Sequence, residues 1–117
     1  MSRDFRLFLA DIIECCDKIQ TYTFGHDFSS FSNNNQLIDA VARNLEIIGE
    51  AVKNIPSEIL DQEPEIPWKE VARFRDLIAH YYFGVKLTVV WNIVENRLDE
   101  LRTAASRLFT SLAASDE

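Results

Sequence analysis

The sequence predicts an all-α protein, an up-and-down bundle of four to five helices. Three observations carry this. Apolar residues recur at spacings of three and four along four long stretches, which is the seam of an amphipathic helix. No segment alternates apolar and polar residues as a half-buried strand does. The chain has only three glycines and three prolines, and the prolines all fall between residues 56 and 67.

The first helix is expected over residues 3–20, with Phe5, Leu9, Ile12, Cys16 and Ile19 inward and Ser2 as N-cap. Residues 21–32, TYTFGHDFSSFS, read as an aromatic loop pinned to the bundle by Phe24, Phe28 and Phe31. His26 in this loop reads as a surface histidine, with metal ligand or catalytic base the lesser alternatives. No second histidine or cysteine lies nearby to complete a ligand pair.

Asn33 and Gln36 resemble a capping box that opens a second helix. Its inward stripe is Leu37, Val41, Leu45, Ile48 and Val52, with Arg43, Glu46 and Glu50 on other faces. Gly49 within it costs about 1 kcal/mol relative to alanine, and the simplest compensation is close approach of another backbone. Residues 55–67 form a connector with one helical turn at Ser57–Leu60.

Pro67 suits the first turn of a third helix, where its missing N–H is not needed. The stripe Val71, Phe74, Ile78, Tyr81 marks its buried face, and Gly84 fits a C-cap. A fourth helix over residues 86–112 buries Leu87, Trp91, Val94, Leu98, Leu101, Ala105, Leu108 and Leu112. Arg97, Arg102 and Arg107 read as its solvated face, and residues 113–117 as a frayed end.

The 117 residues suffice for one domain, residues 1–117, with a modest core. No run approaches the about 18 apolar residues of a membrane span, and Met1–Phe5 lacks a signal-peptide core. A cytoplasmic location is therefore expected. Cys15 and Cys16 are adjacent and offer neither a disulfide framework nor a zinc site of the Cys-x-x-Cys kind; Cys16 reads as core and Cys15 as flanking it.

The net charge of −7 argues against a general polyanion binder. Its distribution is uneven. Residues 1–68 hold five basic and twelve acidic side chains, whereas residues 69–107 hold seven basic and five acidic. The second half is the less repulsive side for phosphate.

That half contains Arg75-Asp76-Leu77-Ile78-Ala79-His80-Tyr81-Tyr82. At about 100° per residue, Arg75 and Tyr82 share one helix face and Asp76 and His80 another. Between them runs a strip of Ala72 and Ala79 that admits a close helix neighbour. Two copies of this helix in a dimer would form a groove of that shape.

A histidine in the last turn of a helix is favoured as imidazolium, and histidine serves as general acid or base near neutral pH. Arginine stays charged and holds phosphate through two hydrogen bonds. Arg75 and His80 without metal ligands form a sufficient kit for RNA cleavage, because the substrate supplies its own 2′-hydroxyl nucleophile. Asp76, one turn before His80, is placed to orient the imidazole. From the pattern alone the same residues fit a solvated or helix-capping set more readily than a catalytic one.

The spacing Arg75-x4-His80-x-Tyr82 resembles the signature of HepT-like toxins of the HEPN superfamily. So, in order, do Tyr22-Thr23-Phe24-Gly25 with Phe28, the stretch from Asp39 to Ala51, and Ile66-Pro67-Trp68. The resemblance spans nearly the whole chain. It implies a helical, homodimeric, metal-independent ribonuclease without a cofactor, the toxin of a type VII toxin–antitoxin pair.

Arg75 and His80 would then be the catalytic pair, with Asp76 supporting, at a position that the family often fills with asparagine. Its negative charge weighs against phosphate binding. The implied partners are RNA and a minimal nucleotidyltransferase antitoxin that places AMP on Tyr82. The alternative is a non-catalytic helical or nucleotide-binding subunit of such a nucleotidyltransferase, which the acidic net charge favours.

Overall fold

The computed structural model describes residues 4–79 and 86–115. Its elements are α1 (Phe5–Thr23), α2 (Phe28–Ser32), α3 (Asn35–Lys53), α4 (Ser57–Leu60), α5 (Trp68–Ala72), α6 (Phe74–Ala79), α7 (Leu87–Asn96) and α8 (Leu98–Ser115). The described residues contain no strand, so the all-α class holds.

Leu9, Ile12, Cys16 and Ile19 of α1 are fully buried between α3 and α8. Each large aliphatic side chain so buried contributes about 1.5–3 kcal/mol of transfer free energy. Cys15 is buried beside them. Asp4 caps α1 by accepting from the Arg6 amide at 2.9 Å. The Arg6 guanidinium bonds the same carboxylate and holds it below the usual range. Ser2, the expected cap, lies outside the described residues.

Residues 21–32 depart from the expected loop. Thr23 closes α1 by donating its hydroxyl to the Ile19 carbonyl at 2.8 Å, and Gly25 turns the chain at φ +79°. Asp27 and Ser30 then form a reciprocal capping box that starts α2. Phe31 is fully buried with its ring centroid 4.9 Å from that of Trp91. Phe24 is 88 % exposed and Phe28 37 %. The turn at Gly25 leaves Phe24 outside the bundle, and the single turn of α2 drives only Phe31 inward.

The cap of α3 is Asn34, not Asn33; its side chain accepts from the Leu37 amide at 3.0 Å. Asn33 is consumed in ending α2, its amide reaching back to Phe31 and Ser29. Leu37, Val41, Leu45, Ile48 and Val52 are buried as expected. The buried Asn44 donates to the Ala40 carbonyl at 2.8 Å, so its burial leaves no donor stranded. The turn at Ser57–Leu60 is present as α4.

The third and fourth helices are each broken once. Arg73 separates α5 from α6 by a tight turn in which its amide bonds Glu70 and Val71. The break falls where α3 comes closest. Pro67 stands at the N-cap of α5, one residue before the helix, and its carbonyl accepts from Glu70 and Val71. Arg97 separates α7 from α8. The bend lets the two halves face different partners, α7 against α2 and α8 against α1.

The basic side chains of α8 also differ from expectation. Arg102 pairs with Asp17 of α1, and Arg107 with Glu63 of the connector. These pairs tie α8 to the bundle, where helical spacing alone made them look solvated. The helix runs on to Ser115, so the end is less frayed than expected; residues 116 and 117 lie outside the described set. No helix among the described residues is long and apolar enough to cross a membrane.

Candidate active site

The site begins at Gly49. A β-carbon there would stand 2.9 Å from the Arg75 amide nitrogen and 3.1 and 3.2 Å from the carbonyl oxygens of Ala72 and Val71. α3 therefore meets the junction of α5 and α6 backbone to backbone, as the glycine within the helix suggested. It is the main chain at Val71 and Ala72 that takes part in this approach within the chain.

This contact brings one turn of α3 against the start of the arginine motif. Arg75 extends Nη1 to Glu50 Oε2 at 3.0 Å. Asp76 Oδ1 lies 3.8 Å from Lys53 Nζ. Two consecutive motif side chains are thus each met by an opposite charge, one helical turn apart on α3. Arg75 and Glu50 remain 54 % and 52 % exposed, so both are open to a ligand from solvent.

Arg75 forms one edge of a cleft of about 290 Å³ between α1, α3 and α6. Arg43, Glu46 and Glu50 of α3 line it with Phe8 and Asp11 of α1. Two guanidinium groups, an aromatic ring and several carboxylates therefore share one open depression. On the other side of α6, Phe74 and Leu77 line an apolar groove shared with Val89 and Ile93.

Of the four residues singled out in the sequence, Arg75 and Asp76 lie together on α6. His80 and Tyr82 fall outside the described residues, as do Tyr81 and the expected cap at Gly84. His26 is half-buried, with Nδ1 3.0 Å from Ser30 Oγ, in the α1–α2 turn. Trp68 and Trp91 are buried, and Trp68 Nε1 donates to the Glu63 carbonyl at 3.0 Å. Among the described residues no cluster of three or more His, Cys, Asp or Glu side chains is placed to hold a metal ion.

Sequence reasoning missed Glu50 and Lys53. Helical spacing puts Glu50 only on a face other than the apolar stripe of α3, and that face proves to meet the motif. The signal was Gly49: whatever a helix glycine lets approach will also meet the glycine's polar neighbours.

Comparison with known proteins finds a family and relatives along most of the chain. Residues 12–108 match the model of the family described as "Ribonuclease HepT-like". "Putative RNase MJ1216" of Methanocaldococcus jannaschii is 39 % identical over 115 residues, covering 98 % of this chain and 95 % of that protein. "Probable ribonuclease HepT" of Thermococcus cleftensis is 41 % identical over 108 residues, covering 92 % and 98 %. No solved structure matches the chain. With a family model over most of its length and such relatives along nearly all of it, the chain belongs to the HepT-like ribonuclease family.

Proposed function

We propose that this chain is a metal-independent endoribonuclease and the toxin of a type VII toxin–antitoxin pair, acting in the cytoplasm as a homodimer built from one domain, residues 1–117. The observation that carries the reading is the half-exposed Arg75 guanidinium, held on α6 at the edge of an open cleft, within the spacing Arg75-x4-His80-x-Tyr82.

In this reading Arg75 binds the scissile phosphate and stabilises the charge that builds on the phosphorane. His80 moves protons as general base and acid. The substrate 2′-oxygen forms a bond to phosphorus while the bond from phosphorus to the 5′-oxygen breaks. The 2′-hydroxyl gives up its proton and the leaving oxygen takes one, so the products are a 2′,3′-cyclic phosphate and a 5′-hydroxyl. Asp76 supports the pair. The juxtaposition of two motif helices in a dimer would bring two such sets to one groove.

Tyr82 is the proposed regulatory site. A minimal nucleotidyltransferase partner would join the Tyr82 oxygen to the α-phosphorus of ATP with release of pyrophosphate. The added AMP places bulk and negative charge where RNA must bind, which blocks cleavage by sterics and repulsion.

The test is incubation of the purified protein with RNA in chelator. Wild type should cleave, and Arg75→Ala and His80→Ala should each lose at least about 100-fold. Equal cleavage by wild type and His80→Ala would sink the reading. Mass spectrometry after incubation with the partner and ATP should find AMP on Tyr82 and none on Tyr82→Phe. Stable partner binding without cleavage by the wild type would favour the second reading, a non-catalytic subunit of the nucleotidyltransferase, which the net charge of −7 supports.

A further inference from the structure

We infer that Glu50 is the positioning residue for Arg75, fixing the guanidinium so that its free edge meets the scissile phosphate; this rests on the ribonuclease reading. The bond from Arg75 to Glu50 uses Nη1. Among the described residues nothing hydrogen-bonds Nε or Nη2 of Arg75, and that edge is the fork that grips a phosphate with two parallel bonds. A carboxylate on Nη1 therefore sets the plane of the fork without occupying it.

The placement is built, not incidental. Gly49 brings the α3 backbone against the Arg75 amide, so the Cα positions of residues 50 and 75 are fixed by main-chain contact. Lys53 approaches Asp76 from the next turn of α3, at 3.8 Å, so the neighbouring motif residue faces α3 as well. An ion pair this open to solvent adds little to stability. Its consequence lies in where it holds a long, otherwise mobile arginine side chain.

Glu50 also carries a cost for the substrate. Its negative charge stands beside the phosphate site and opposes ground-state binding of RNA. Removing it should therefore slow turnover without weakening substrate binding, and unaltered melting separates that outcome from loss of folded protein.

The experiment is steady-state cleavage of a short RNA by the full chain. Glu50→Ala is expected to lower kcat by about 10-fold, because an unrestrained guanidinium samples unproductive orientations, with KM unchanged or lower. Glu50→Gln keeps an acceptor oxygen for Nη1 and should hold kcat within about 3-fold of wild type. In an Arg75→Lys background, which has no fork to orient, Glu50→Ala should change kcat by less than about 2-fold. The half-exposed pair leads us to expect unaltered melting for both Glu50 variants.

A wild-type kcat in Glu50→Ala would overturn the proposal and leave the ribonuclease reading standing. So would a 10-fold loss that persists in the Arg75→Lys background, or a Glu50→Gln variant as slow as Glu50→Ala. Absence of cleavage by the wild type is the different failure, which removes the ribonuclease reading and this inference together.

Discussion

Gly49 and Arg75 touch through their main chains: a β-carbon on the one would stand 2.9 Å from the amide nitrogen of the other. Two effects compete when Gly49 becomes alanine. Helix propensity gains about 1 kcal/mol, while forcing a methyl group into a filled contact costs about 1–3 kcal/mol. The obstructing atoms belong to backbone, which cannot swing aside as a side chain can, so sterics should win. Gly49→Ala is expected to lower unfolding free energy by up to about 2 kcal/mol in urea titration. It should also reduce RNA cleavage in the molecules that remain folded, because Arg75 is displaced with its backbone.

The aromatic residues of the α1–α2 region should separate sharply in stability. Phe31 is fully buried against Trp91, and Phe31→Ala should cost about 3–5 kcal/mol. Phe24 is 88 % exposed, and Phe24→Ala should stay within about 0.5 kcal/mol of wild type. Chemical denaturation of the two variants side by side would decide the matter; equal losses would contradict the packing described.

The two cysteines predict an alkaline limb. Burial pushes the Cys16 thiol up to about 12 and the Cys15 thiol up to about 11, from an ordinary 9.0. The folded state thus favours the protonated thiols. Their contribution is full below pH 9.0 and is lost as pH rises toward 11–12. Unfolding free energy should fall across that window, and less steeply in a Cys15→Ala, Cys16→Ala double variant. At pH 8 both thiols should resist an alkylating reagent until urea unfolds the chain. Rapid alkylation of the native protein would refute the burial.

The long amphipathic helices were legible because their stripes are long. Leu9, Ile12, Cys16 and Ile19 of α1, and Leu37 to Val52 of α3, repeat often enough to override local ambiguity, and all are buried. Gly49 was legible for a different reason: a glycine inside a good helix needs a steric cause. What escaped was set by single turns. Apolar content could not tell Phe31, driven inward by α2, from Phe24, left outside by Gly25. The breaks at Arg73 and Arg97 leave the apolar stripe intact on both sides, so periodicity passes straight over them. Arg102 and Arg107 sit at ordinary outward positions, and only the neighbouring Asp17 and Glu63 give them partners.

The candidate site was half legible. Arg75 and Asp76 stand out in the sequence as consecutive charges within an amphipathic helix, and the structure places both on α6. Glu50 and Lys53 lie more than twenty residues earlier in the chain, and their bearing on Arg75 and Asp76 depends on how α3 crosses α6. That crossing is a property of packing, which no local window reports.

The packing of α1 against α8 has a bearing on timing. A chain growing on the ribosome exposes α1, α3 and Arg75 well before α8 has been made. Until then Leu9, Ile12, Cys16 and Ile19 lack the wall that Leu98, Leu101, Ala105 and Leu108 later supply. Without that wall, α1 is covered by α3 on one side only. The first described helix therefore completes its burial only when the last described helix is in place, which makes the seating of α8 a late event in assembling the core.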